Sequence, residues 1–322
     1  MAFTPIRVHV SQHPAAVVGA LLSSLRDRAV NHKFHYTSYK QARRWNALFS
    51  QYSPFINDSA CAQIYEQSYI HTAQHITASS IHIISLGCGS GEKDLRLLQS
   101  LRNTGRHSQY TPVDVSMPLV VLAHTQAAKT GFSPSAGIVC DLMAPLSLSD
   151  LAPEAETPGT LVTFFGMIPN FEPKAILPNI AAMLRPGGYL LLSGNLASGD
   201  DYEAGVRKVL PQYDNPSTEG WLLMFLEDLG VTRDDGRLAW TIEPDPHYPA
   251  LRRLSAYFRF DCSRTVQVEG EEFAFAPGEQ IRLFFSYRYT VEHLKNVLDD
   301  HGLGVRKTFI RGEEAVLLCE RL

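Results

Sequence analysis

The 322-residue sequence predicts an α/β fold: a doubly wound, mostly parallel sheet interrupted by an inserted α+β region. Three observations carry this. Between about residues 80 and 195, short apolar runs alternate with helical stretches, as βαβ units do. The first of those runs ends directly on a glycine cluster, Gly87-Cys88-Gly89-Ser90-Gly91, and a helical pattern follows it. Beyond Asn195 the alternation gives way to period-two stretches, and it resumes near the C-terminus.

Residues up to about Ser80 read as helices and loops. Ala15 to Ala29 spaces its apolar side chains by three and four, the period of an amphipathic helix. Tyr36 to Phe55 is rich in aromatics, including Tyr36, Trp45, Phe49 and Tyr52. That composition fits either a packed helical face or an aromatic lid over a ligand. Strands are expected at Ile81 to Leu86, Tyr110 to Val115, Ala136 to Cys140, Thr160 to Phe165 and Tyr189 to Ser193. The intervening helices are Glu92 to Leu101, Pro118 to Thr130, and Lys174 to Leu184, the last closed by Arg185-Pro186-Gly187-Gly188. Asp200 to Gly230 reads as helical and Arg237 to Gly278 as antiparallel strands. Val291 to Asp300 reads as a helix, and Gly304 to Ile310 and Ala315 to Glu320 as two strands across a turn.

Composition narrows the function. Hydrophobic residues are 45% and charged residues 19%, which supports a full core and excludes disordered, collagen-like and coiled-coil chains. A net charge of −4 argues against a nucleic-acid partner. No apolar run approaches the roughly 18–20 residues that span a bilayer. Met1 to Val10 carries Arg7 and His9 and no signal-type apolar stretch, so a soluble, cytoplasmic chain is expected; its oligomeric state is left open, with a monomer favoured. Five cysteines without a Cys-x-x-Cys pair predict neither a disulfide framework nor a thiolate metal site. His71 and His75 have ligand spacing but no third ligand nearby, so no metal is expected.

The glycine cluster lets backbone approach a ligand closely, yet nicotinamide, flavin and S-adenosylmethionine folds all use one. Here the third glycine comes one residue earlier than in the dinucleotide fingerprint. Asp114 ends the second strand, where it can accept two ribose hydroxyls, and Asp141 follows the third, where an adenine amine is usually held. Asn170 follows the fourth strand, at the carboxyl edge where open sheets bind ligands. Its neutral side-chain carbonyl suits an amine acceptor. The Asp/Asn-Pro-Pro-Tyr order of DNA amino-methyltransferases is absent.

Together with the Leu184-Arg185-Pro186-Gly187-Gly188 turn, these features resemble the class I S-adenosylmethionine-dependent methyltransferases. Leu86 to Lys93, Pro112-Val113-Asp114-Val115-Ser116 and Asn170-Phe171-Glu172-Pro173 are similar, more narrowly, to the EgtD-like family of histidine-specific N-methyltransferases. The resemblance spans essentially the whole chain. It implies a class I methyltransferase Rossmann-like sheet with an inserted α+β substrate-binding domain. The parts would be a helical segment 1–60 joining the substrate domain, a cofactor domain 61–196, the substrate domain 197–286, and a return to the sheet at 287–322. It implies S-adenosyl-L-methionine as cofactor, held by Tyr36, Gly87, Gly89, Ser90, Lys93, Asp114, Asp141 and Leu142. A small amino acid or amine would be bound by Tyr52, Asn170, Tyr213, Phe284 and Ser286, with Tyr36 and Asn170 as the catalytic pair.

One departure stands out. Where the family carries a glutamate that pairs with the substrate imidazole, this chain has Phe284. Losing a charge-assisted hydrogen bond there is worth ~1.5–3 kcal/mol, more than tenfold in discrimination. Loss of that glutamate therefore implies an acceptor other than strictly histidine, whether the Phe284 ring lines the pocket or turns into the core and leaves the pocket to other groups. Two competing readings are a cofactor-binding protein without transferase activity and, against the glycine spacing, a nicotinamide-dependent oxidoreductase.

Overall fold

The computed structural model describes residues 3–151 and 159–322. The chain opens with β1 (Ile6–Val8), α1 (Pro14–Arg26), α2 (Tyr39–Tyr52), α3 (Pro54–Asn57) and α4 (Ser59–His75). It then alternates through β2 (Ser80–Leu86), α5 (Glu92–Asn103), β3 (His107–Asp114), α6 (Met117–Lys129), β4 (Gly137–Val139) and α7 (Leu148–Leu151). β5 (Gly159–Phe165), α8 (Pro173–Met183) and β6 (Tyr189–Asn195) complete the alternation. Next come α9 (Tyr202–Val209), α10 (Pro216–Glu227), β7 (Gly236–Pro244), β8 (Arg252–Phe260), β9 (Arg264–Val268), β10 (Glu271–Phe275) and β11 (Gln280–Arg288). α11 (Val291–Asp299), β12 (Leu303–Arg311) and β13 (Glu314–Arg321) finish the chain.

Among the described residues the main sheet has the order β1-β4-β3-β2-β5-β6-β13-β12. β1 to β6 pair in parallel, whereas β13 and β12 add antiparallel at one edge. Helices cover both faces. Ile81, Ile83 and Leu161 meet Tyr65, Tyr69 and Leu97 on one side. Ile84, Val162 and Leu190 meet Ile176, Ile180 and Leu294 on the other. Burial on both faces is why these strands read as continuous apolar runs. From β2 the chain steps to β3 and β4, then returns to β5 on the opposite side. That reversal opens a crevice at the carboxyl ends of β2 and β5.

Local chemistry starts the helices. α6 and α8 carry Pro118 and Pro173 in their first turns, where a missing N–H costs nothing. α2 begins with a capping box between Ser38 and Gln41.

The remaining strands form an antiparallel sheet, β11-β8-β7, and the hairpin β9–β10. Phe258, Phe260 and Leu283 of this sheet pack with Trp221 and Phe225 of α10 and with Leu25, Val30 and Phe34 near the N-terminus. β11 has two roles. Phe284 faces that core, whereas Phe285 and Tyr287 join the core of the main sheet.

Three differences from the sequence reading have physical causes. Ile6–Val8 is a strand, not a loop; it is too short to show a period and is stabilised by parallel pairing to β4. The 200–230 helical stretch is two helices, because Pro211 and Pro216 cannot donate to a continuous helix. β11 lies outside the predicted strands; both its faces are buried and a bulge falls between Arg282 and Phe284, so its alternation is masked. No helix of the described residues is long and apolar enough to cross a membrane.

Under the glycine loop, buried Asp94 accepts hydrogen bonds from Ser85 (2.6 Å), Thr163 (2.9 Å) and Tyr110 (3.1 Å). Burial pushes its carboxyl up to about 6. Asp94→Ala strands three buried hydroxyls and is expected to cost ~3 kcal/mol or more in urea denaturation. Asp94→Asn keeps acceptors and should lose much less. A loss below ~1 kcal/mol for the alanine variant would contradict this.

Candidate active site

The crevice is a cavity of about 1110 Å³, counting its open mouth. Tyr36, Gly87, Gly89, Ser90, Lys93, Asp114, Asp141, Leu142 and Asn170 all line it. Gly87 and Gly89 have φ of 69° and 52°. A Cβ on Gly87 would sit 2.7 Å from the Met167 side chain, and one on Gly89 would sit 2.9 Å from the Trp45 ring. Any other residue would be strained and would fill the cavity wall. The loop is fastened to β3: Gly87 and Cys88 N–H both donate to Val113 O, at 2.8 and 3.0 Å.

Asp114 completes that fastening. One carboxylate oxygen accepts from Gly89 N (3.1 Å) and the other from Ser116 N (2.9 Å). Burial pushes its carboxyl up to about 6, opposed by these N–H donors. Asp141 is engaged on both oxygens, by the Lys33 ammonium at 3.1 Å and by Met143 N at 3.0 Å. Lys93 donates to the Tyr65 hydroxyl at 2.8 Å, and that hydroxyl also bonds Glu314 and Ser193. Burial lowers the Lys93 pKa, and the Glu314 carboxylate opposes the fall.

On the far wall, Asn170 Nδ2 donates to Phe285 O at 3.0 Å, which ties the end of β5 to β11. The Tyr36 ring lies 5.4 Å from Trp221 and 6.0 Å from Trp45. Burial, then the charges of Asp114 and Tyr213, raise its pKa above the ordinary value, so the hydroxyl stays protonated.

Four of the expected substrate residues stand apart from the lining. Tyr213 and Ser286 share a 3.0 Å hydrogen bond, and neither is a lining residue. Phe284 is 5% exposed and packs on Trp221 (5.7 Å) and His32 (5.1 Å). Its ring therefore turns into the core. Tyr52 ends α2 at 47% exposure, outside the lining. Trp45 and Phe49, stacked at 5.5 Å, line the wall in its place, since residues four apart share a helix face and Tyr52 lies one turn past its edge.

His32 was missed by sequence reasoning. It lines the cavity between Phe284 and Phe285, and both ring nitrogens are shielded without a hydrogen-bond partner. Burial, then His35, Arg282 and Arg253, hold its pKa well below the usual value, so the imidazole is neutral. One histidine in a mixed run gives no periodic or motif signal. His71 and His75 stack on each other at 5.8 Å and pack against Phe309 and Tyr189. Among the described residues no group of three potential ligands could hold a metal ion.

Residues 31–320 match the family described as "Histidine-specific methyltransferase, SAM-dependent". No curated protein sequence matches the chain. Among solved structures, it is similar to a SAM-dependent methyltransferase from Methanosarcina mazei, with 16% identity over 79% of this chain and 96% of that one, at a TM-score of 0.42. It is also similar to the 1,6-didemethyltoxoflavin-N1-methyltransferase of Burkholderia thailandensis, with 14% identity over 88% of each chain, at a TM-score of 0.43.

The Lys33–Asp141 pair yields a stability prediction. Lys33→Met leaves a largely buried carboxylate uncompensated, which should cost about 2–4 kcal/mol in chemical denaturation. The double variant Lys33→Met/Asp141→Asn should recover most of that loss. Equal stability of wild type and the single variant would show that the pair contributes nothing.

Proposed function

The chain belongs to the histidine-specific, SAM-dependent methyltransferase family, and from that premise we propose that it methylates the amino nitrogen of a small amino acid or amine. Membership makes it a SAM-dependent methyltransferase. The observation that carries the narrower reading is Asn170, an amide lining the same cavity as the glycine loop and Asp114.

The residues present fit the cofactor. The glycines at Gly87 and Gly89 leave room that a Cβ would fill. Asp114 offers carboxylate oxygens for a ribose diol, and Lys93 an ammonium for the methionine carboxylate. Leu142 and Leu119 supply apolar wall for adenine, with Asp141 beside them. When bound, S-adenosylmethionine supplies a methyl group activated by its sulfonium charge.

The rest is the work of the chain. With Nδ2 committed to Phe285 O, Asn170 presents Oδ1 to an acceptor N–H and aligns the nitrogen lone pair. A neutral carbonyl does this without competing as a nucleophile. Tyr36 stays a phenol, so it positions through its hydroxyl and does not remove the acceptor's proton. Trp45, Phe49 and Tyr36 exclude water, and desolvation lowers the pKa of an acceptor ammonium toward the neutral, reactive form. With Phe284 in the core, no carboxylate stands at the position where the family pairs with imidazole, which favours acceptors other than histidine.

Two outcomes are expected. Asn170→Ala should lower methyl transfer by about thirtyfold or more while S-adenosylhomocysteine affinity stays within about twofold. Transfer is followed by mass spectrometry on a mixture of amino acids and amines; unaltered turnover removes Asn170 from the mechanism. The second concerns pH. A carboxyl raised to about 6 is protonated below that pH and then loses acceptor capacity for the ribose. Calorimetric affinity for S-adenosylhomocysteine should therefore fall from pH 7 to pH 5 in wild type. Asp114→Asn should bind more weakly throughout and lose that slope; an identical slope in the variant would assign the titration elsewhere.

A further inference from the structure

Lys93 lines the cavity from the first turn of α5, and aromatic rings surround it. Its Nζ lies 4.5 Å from the centre of the Tyr65 ring, 5.4 Å from that of Phe55 and 5.9 Å from that of Phe165. Among the described residues, the lysines in ion-pair range of a carboxylate are Lys33 and Lys40; Lys93 has no such partner. A buried ammonium without an anion is unfavourable, and burial lowers the Lys93 pKa. The Glu314 carboxylate of β13 opposes that fall most, followed by Cys61, Asp94 and Glu92. Glu314 reaches Lys93 through one intervening group, the Tyr65 hydroxyl of α4.

The donors and acceptors fix the direction of every hydrogen bond there. A lysine only donates and a carboxylate only accepts. Tyr65 therefore accepts from Lys93 at 2.8 Å and gives its one proton to Glu314. Ser193 Oγ, 2.7 Å away, donates to the same phenol oxygen while accepting the Gly166 N–H at 2.9 Å. Burial, then the Glu314 charge, hold the Tyr65 pKa well above its ordinary value, so the proton stays on the phenol. Tyr65, Ser193 and Glu314 are all buried, and a closed network of this kind holds each member in one place. α4, α5, β6, β13 and the end of β5 thus converge on a single oxygen. Tyr65 takes one N–H of the ammonium, and among the described residues no other hydrogen bond takes the rest. A Cβ on the lining residue Gly166 would lie 3.8 Å from Lys93 Nζ, which places the ammonium where β5 opens into the crevice.

We propose that Tyr65 is a positioning residue for the cofactor: held by Glu314 and Ser193, its hydroxyl fixes the Lys93 ammonium against the methionine carboxylate of S-adenosylmethionine. Neither Tyr65 nor Glu314 lines the cavity, so both act through Lys93, and the C-terminal strand β13 contributes to cofactor affinity from outside the crevice. The proposal rests on the reading of Lys93 given above and is independent of the acceptor.

The test is calorimetry on the full chain with S-adenosylhomocysteine and with its decarboxylated analogue, which lacks only the carboxylate. Wild type should prefer S-adenosylhomocysteine by about tenfold or more, and Lys93→Met should abolish that preference. Tyr65→Phe keeps the ring in its packing. It should cut the preference to about a fifth or less, while affinity for the analogue stays within about twofold of wild type. A hydroxyl that served the fold alone would weaken both ligands alike. Glu314→Gln leaves a side-chain oxygen for the phenol proton and should keep more than about half of the preference. A Tyr65→Phe chain that retains the preference, or loses affinity for both ligands equally, overturns the proposal and leaves Lys93 in its role. Should that variant fail to fold, Glu314→Gln decides: loss of the preference there shows that the carboxylate charge, and not the phenol, governs Lys93, and overturns the proposal. A wild type without the preference, or a preference that survives Lys93→Met, overturns the reading of Lys93 and this proposal with it.

Discussion

The fastening of the glycine loop to β3 fixes the geometry of everything else in the site. Gly87 and Cys88 donate to Val113 O, and Gly89 donates to the Asp114 carboxylate, so loop and neighbouring strand move as one unit. Left-handed glycines allow the turn, and the acid that anchors it is also the acid presented to the crevice. A single carboxylate thus both anchors the loop and faces the crevice. Burial penalises its charge, and the two N–H donors offset part of that penalty.

β11 is the second organising feature. One face closes the core around Trp221 and Phe225, and the other enters the core of the main sheet. Its backbone receives the Asn170 amide, and its side chains include Phe284, Ser286 and Arg288. A strand clamped from both sides holds position closely, which in-line methyl transfer requires.

Much of this was legible in the residues. The alternation of apolar runs with helices reports a sheet covered on both faces, and the positions of Gly87, Asp114, Asp141 and Asn170 at strand ends follow from it. Legibility failed where position depends on long-range packing. Whether Phe284 faces a ligand or a core is decided by Trp221 and His32, which are distant in sequence. Tyr52 stands in the same aromatic stretch as Trp45 and Phe49, and only the end of α2 separates their environments.

The account stands on methyl transfer to nitrogen. Incubating the enzyme with S-adenosylmethionine carrying a 13C-labelled methyl and an amino acid pool, then recording carbon–proton correlation spectra, reports which atom receives the label. The account predicts new correlations in the N-methyl region, lost with Asn170→Ala. Label found only on oxygen or carbon would contradict it.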